Sequence, residues 1–404
     1  MKFTVTSNEL LNALNKVIGV TPARSTLPIL GNVYLSLENK ELTLIGSDLE
    51  VYVKVVLNVN GKQDGQVAVP AKKLETLIQN LLNKELSFEL LQNFKLSIKT
   101  KGGKWTITGE DPNDFPMPAE MEQDKKITID NILLSKYLAK AIHAASPDEL
   151  RRSMNGVYLE IKEGEFRVVS TDGHRLVRII KNDFDYSGDK FALLVPIKTC
   201  NLITKLFKTS SKSAVTEPVV SSESEETDGN ASTEESLSEI ETHSDITVYL
   251  SNEFLQCYYN NITITSRLID DTFPNYESVI PTDNEKILKV ERVPLMGSIK
   301  RSIIMSDQVT NRTSFNINSN ELKVKSANNE YGTDSEETID CNFTENEEFE
   351  IAFNGKYLLE ALQQFECAEV LFDFSTPLKA SVLRPSEHGE NEDMMMLVMP
   401  VRNI

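Results

Sequence analysis

The chain has 404 residues, too many for one ordinary hydrophobic core, and its 40% apolar and 25% charged residues are those of a globular protein. No run of about 18 apolar residues is present, so no transmembrane helix is expected. The net charge of −19 weighs against nucleic-acid binding unless the basic residues are gathered on one surface.

The opening MKFTVTSNELLNALNKV is interrupted by polar residues at helical spacing, unlike a signal peptide. The expected location is therefore cytoplasmic. A short strand, KFTVT, leads into an amphipathic helix over 7–18, with Ser7 as the expected N-cap. A second strand-to-helix unit follows in QVAVPAKKLETLIQNLL, with its helix over 71–84. The pattern recurs in KKITIDNILLSKYLAKAIHAA (helix 135–145, Asp130 as cap) and FALLVPIKTCNLITKLF (helix 197–208). It recurs again in KILKVERVPLMGSIKRSII (helix 292–301) and FEIAFNGKYLLEALQQF (helix 355–366). Alternating runs such as FKLSIKTKGGKWTITG and NNITITSRLI fill the gaps as strands. The reading is an α+β fold of three repeated domains, 1–125, 126–283 and 284–404. Each has two helices and antiparallel sheets.

Residues 209–245 break the pattern, with ten Ser, ten acidic residues, one Lys and no aromatic residue, net −9. Such a stretch lacks the apolar surface to offset its ordering entropy, which predicts a disordered insert within the second domain. Its role is not readable.

The six expected helices carry 13 basic and 4 acidic residues, so they sum to +9 while the rest of the chain sums to −28. Lys72, Lys73, Lys136, Lys140, Lys198, Lys205 and Arg301 supply much of this. Basic residues on repeated elements, without base-reading motifs, fit sequence-independent attraction to the phosphates of double-stranded DNA. Solvation of exposed helix faces is the plainer alternative for any one helix.

No P-loop, HExxH or GxSxG motif stands in a convincing context, and Cys200, Cys257, Cys341 and Cys367 are too scattered for a metal site or disulfide framework. No metal, cofactor or catalytic residue is expected. Thr171-Asp172-Gly173-His174-Arg175 is the one stretch open to an acid–base reading, through Asp172 and His174. Asp-Gly between EFRVVS and LVRII reads better as a turn that shapes a binding surface. The alternatives are a hydrolase or nucleotide-dependent enzyme built on that pair and a repeat scaffold that binds proteins but not DNA. The closing MMMLVMPVR fits a final core strand that also lends adaptable methionines to a groove.

Five motifs in order resemble the bacterial DNA sliding clamp family, the beta subunits of DNA polymerase III. They are RSTLPILGN (24–32), MNGVYLE (154–160), STDGHRL (170–176), FPNY (273–276) and VMPVR (398–402). The resemblance implies a head-to-tail homodimer closed into a ring, with helices lining the hole. It implies a processivity factor rather than an enzyme, opened by a separate clamp loader. The ring would be shared by the replicative polymerase and by other DNA repair or replication proteins through short peptide motifs, away from any membrane. The family's hydrophobic peptide pocket maps to Met154, Thr171, Gly173, His174, Arg175, Leu176, Pro274, Val279, Leu397, Met399, Pro400, Val401 and Arg402. Met154 stands where Leu is common, and Ser278 where Arg can stand. Arg24 matches a DNA-contact position, and SPDELRRS adds Arg151 and Arg152. Trp105 and Ile107, which alternate on one strand, match first-domain dimer-interface positions, with Ile304 and Met305 as their third-domain partners. Glu336 and Glu337 are expected to face Lys101 or Lys104 across that joint.

Overall fold

The computed structural model describes residues 1–118, 125–207 and 243–401. Among them are the six expected helices: α1 (Ser7–Ile18), α2 (Ala71–Gln79), α3 (Asn131–Ile142), α4 (Ile197–Leu206), α5 (Arg292–Met305) and α6 (Gly355–Gln363). Each follows directly on a strand. In α1 the apolar residues recur three or four apart, so Leu10, Ala13, Leu14 and Val17 form one buried stripe.

Several boundaries differ from the sequence expectation. α2 stops at Gln79 rather than 84, because Asn80 leaves helical ψ and turns its N–H onto the Leu77 and Ile78 carbonyls. α3 starts four residues earlier than expected, since Asp130 caps the Leu133 N–H at 2.9 Å. α5 runs on to Met305. The cap of α1 is Thr6, not Ser7. The Thr6 hydroxyl accepts from the Glu9 N–H at 3.3 Å and donates to the Glu9 carboxylate at 2.6 Å, a reciprocal capping pair. Ser7 lies inside the helix, and its buried hydroxyl accepts from the Lys84 N–H.

Three antiparallel sheets carry these helices. A five-stranded sheet belongs to the first unit and ends on the strand Gly103–Thr108. An eight-stranded sheet joins the first and second units where Val51–Asn58 pairs with Ile262–Arg267, Val53 opposite Ile264. A twelve-stranded sheet joins the second and third where Arg175–Phe184 pairs with Glu392–Val398, Val177 opposite Met396. One unit thus hands its sheet to the next by strand addition, twice, in the same manner. On the helix side, α4 reaches the first unit through Lys198–Asp48. Lys136 and Lys140 of α3 meet Glu366, just past α6, at 3.7 and 3.1 Å.

Most of the acidic insert lies outside the described residues. Its expected end at 245 is too late, because Asp245 already pairs with Asp130 in the sheet. Asn131, fully buried at the start of α3, holds both stems. Its amide donates to the Phe207 carbonyl at 3.1 Å. Its side-chain oxygen accepts from the Ser244 N–H at 2.9 Å, and its own N–H donates to the Ser244 carbonyl. All four cysteines are free; Cys200 and Cys257 are buried, while Cys341 and Cys367 are half-buried.

Candidate peptide-binding site and the surfaces around it

Where the second and third units join, a cleft of about 660 Å³ opens beside the paired strands. Its floor is Leu176, 2% exposed, and Leu397, which face each other across the ladder. Beneath them Val169, Leu194, Phe273, Tyr276, Val382 and Met395 form a separate apolar cluster. Its rim carries Val279 at 56% and Met399 at 41% exposure, with Leu378 opposite. A cleft with an apolar floor, an exposed apolar rim and polar groups such as Thr171, Asn275 and Ser278 around it suits the side chains and backbone of a short peptide.

Local chemistry builds each wall. The turn after Gly164–Thr171 needs Gly173 at φ 88°, a left-handed conformation natural to glycine. Asp172 closes that turn: one carboxylate oxygen accepts the N–H groups of His174 at 2.8 Å and Arg175 at 3.0 Å. The connecting segment is pinned by Phe273, stacked on Tyr158 at 4.8 Å, and by Tyr276, whose hydroxyl accepts from Arg167. It then turns through Tyr276–Val279, and an ion pair between Asp283 and Lys379 draws its end against the third unit.

Of the thirteen residues expected at the pocket, nine line the cleft: Met154, Thr171, Gly173, Arg175, Leu176, Pro274, Val279, Leu397 and Met399. His174, Pro400 and Val401 lie beside it. The His174 ring faces Tyr357, 6.4 Å between centroids, and the Val401 N–H donates to the Ala352 carbonyl, drawing the chain end along a neighbouring strand. Arg402 is outside the described residues. Sequence reasoning missed Tyr276, Ile280, Pro281, Thr282, Leu378 and Ala380, which line the cleft together with the polar Asn275, Ser278, Asp283 and Lys379. The stretch FPNYESVIP carried a signal for the first three, in its prolines and aromatic residues; Leu378 and Ala380 gave none.

Asp172 and His174 do not form an acid–base pair. The second Asp172 oxygen is taken by Arg175 Nε at 3.2 Å, and the His174 ring points away toward Tyr357. Nearby, His143 is half-buried, with its Nδ1 shielded from solvent. Burial, followed by the Arg175 charge, pushes its pKa down to about 4, so the ring is neutral at physiological pH. No group of three or more potential metal ligands occurs among the described residues.

On their observed bounds the six helices hold eleven basic and three acidic residues. The basic residues expected to meet DNA are placed unequally. Lys72 pairs with Glu75, Lys136 and Lys140 with Glu366, Arg151 with Asp148, Lys198 with Asp48 and Arg301 with Glu337. Arg24, Lys73, Arg152 and Lys205 are exposed and make no ion pair with a described residue.

Two strands, one in the first unit and one in the third, each leave most of one edge unpaired. Gly103–Thr108 pairs only with Lys95–Thr100 along its length. Thr333–Phe343 pairs with Glu321–Asn328, while its other edge meets Lys286–Glu291 only from 341 to 343. Ile304, 70% exposed, and Met305 end α5 close by, and the Thr333 hydroxyl donates to the Met305 carbonyl. Trp105 packs half-buried against the core. Ile107, only 5% exposed, faces the interior of its own domain, so its side chain offers no free surface for an interface. Glu337 is engaged within the chain by Arg301 at 2.6 and 2.7 Å, and Glu336 by Lys325 at 3.0 Å.

Residues 1–119, 128–226 and 277–402 match, in order, the N-terminal, central and C-terminal domains of the DNA polymerase III beta subunit. The chain is 28% identical to the beta sliding clamp of Pseudomonas aeruginosa over 404 residues and 25% identical to that of Vibrio cholerae over 403, with both chains covered in full in each case. The crystal structure of a Pseudomonas aeruginosa sliding clamp bound to griselimycin matches over 100% of both chains, with a TM-score of 0.86 and 25% identity. The beta subunit from Thermotoga maritima shares the fold over both full chains, with a TM-score of 0.83 and 23% identity. Three family domains in order, on a chain whose three units pass their sheet from one to the next, make this protein a member of the DNA polymerase III beta subunit family, the sliding clamps.

Proposed function

We propose that two copies of this chain join head to tail in a closed ring around duplex DNA. The protein is a processivity factor: the ring holds a DNA polymerase to its template through a short peptide seated in the cleft of Leu176, Val279 and Met399. It carries out no reaction of its own. A clamp loader opens it, and other replication or repair proteins take turns at the same cleft. DNA is gripped by topology and by sequence-independent attraction to the helix layer. The setting is the cytoplasm; among the described residues no helix is long and apolar enough to cross a membrane.

The observation that carries this reading is the repeated junction. Counted along equivalent ladders, Val53 and Val177 correspond to Ser335, and their partners Ile264 and Met396 correspond to Trp105. The two strands that would form a third such junction, Gly103–Thr108 and Thr333–Phe343, each leave most of one edge unpaired. Placing Trp105 opposite Ser335 of a second copy sets Lys104 opposite Glu336 and Thr106 opposite Asp334, so opposite charges face across the new ladder. On this reading the domain limits are 1–125, 126–283 and 284–404, and Trp105, Ile304 and Met305 flank the joint.

The test is topological. Loaded on a closed circular plasmid, the protein should co-elute with DNA through gel filtration and be released when the plasmid is linearised. Equal retention on circle and line would refute the ring.

A further inference from the structure

We propose that Glu360 on α6 is a positioning residue for the peptide cleft, acting through Arg175 on the turn that forms one cleft wall; this rests on the reading of the cleft given above. Sequence alone offered Arg175 as a rim donor to a peptide. In the structure its guanidinium is spent internally. Nε donates to Asp172 Oδ2 at 3.2 Å, a terminal nitrogen is ion-paired with Glu360, and the group lies 4.4 Å above the Tyr357 ring. The Arg175 side chain is only 11% exposed, whereas that of Glu360 is 44% exposed, so the guanidinium is sheltered while its Glu360 partner reaches it from the solvent side.

Asp172 is the link. Its other oxygen holds the His174 and Arg175 N–H groups, fixing the turn that presents Thr171 and Gly173 to the cleft. The same turn offers the His174 carbonyl to the Met399 N–H at 2.8 Å, which seats the Met399 rim. One guanidinium therefore connects a helix of the third unit to both walls of the cleft. Glu360 itself does not line the cleft. Without it, Arg175 keeps a charge-assisted bond on one side only, and its long side chain regains rotamers that reach into the cleft. A wall that must be ordered on binding lowers affinity, even though no peptide contact is lost.

The probe is griselimycin, which is bound to the Pseudomonas aeruginosa clamp in its crystal structure, measured by calorimetry and by surface-plasmon kinetics on the full chain. Met399→Ala serves as the control for the cleft. Glu360→Ala should weaken binding about tenfold, as expected when one member of a coupled charge network is removed. Glu360→Asp should recover part of that loss. In an Arg175→Ala background, Glu360→Ala should change nothing further, because its only route to the cleft is gone. A general weakening of α6 would persist in that background, so persistence overturns the proposal. Unchanged affinity in Glu360→Ala, with Met399→Ala still impaired, also overturns it and leaves the cleft reading standing. If Met399→Ala binds as the parent does, the cleft reading falls and the proposal falls with it.

Discussion

The Met399 N–H donates to the His174 carbonyl at 2.8 Å, so the end of the chain is fastened to a turn more than two hundred residues earlier. This bond closes the ladder between the second and third units beyond its last strand pair, Arg175 with Val398. It holds an exposed methionine beside a buried leucine floor, which is the arrangement a shared peptide cleft requires.

The rim and floor should separate in mutagenesis. Val279→Ala with Met399→Ala removes exposed apolar contact without opening the core, and should weaken binding of a short polymerase tail peptide roughly thirtyfold or more, about 2 kcal/mol. Calorimetry measures this, and sedimentation should show the dimer intact. Leu176→Ala is the wrong probe: Leu176 is 2% exposed, and its truncation should cost about 2–5 kcal/mol of stability.

The ring joint should respond to charge and to apolar surface. Ile304→Ala with Met305→Lys should yield monomers in analytical ultracentrifugation. Lys104→Glu should raise the dimer dissociation constant, and Glu336→Lys should restore part of it if the two face each other. An unchanged dimer in the Ile304/Met305 variant would place the joint elsewhere.

Asn131 should matter out of proportion to its size. Asn131→Ala leaves the Phe207 carbonyl and the Ser244 N–H without their buried partner, a loss of about 1–3 kcal/mol for each unsatisfied group. Urea denaturation followed by circular dichroism would show it. Removing 209–242 while keeping 243–245 should leave stability nearly unchanged, because both stems remain tied to Asn131.

His143 should make the protein acid-sensitive. Its folded pKa, about 4, lies below the 6.5 of an exposed histidine, so the unfolded chain takes up the proton first. The stability contribution is fully present above pH 6.5 and is lost as pH falls toward 4, by up to about 3 kcal/mol. His143→Gln should flatten that slope in denaturant midpoints measured between pH 7 and pH 4.5. An identical slope in the variant would assign the acid sensitivity to other groups.

The sequence by itself determined the repeat, the six strand-to-helix units and most of the cleft. Each is written in local periodicity, as in Leu10, Leu14 and Val17 on one face of α1, or in short motifs such as Thr171–Arg175. What it could not decide is which distant segment covers a given face. Trp105 and Ile107 share a side of their strand by alternation, but only packing turns Ile107 into its own core. Arg175 reads as a rim donor until α6, almost two hundred residues on, brings Glu360 and Tyr357 to it. Leu378 and Ala380 reach the cleft from the connection between the strands Glu369–Phe374 and Ser381–Pro385, which the fold lays beside Asp283, a contact with no local signature. Local preference depends on neighbours three or four residues away. Charge pairing and burial depend on chain segments brought together only by the fold, and there the tertiary structure alone assigned each side chain its role.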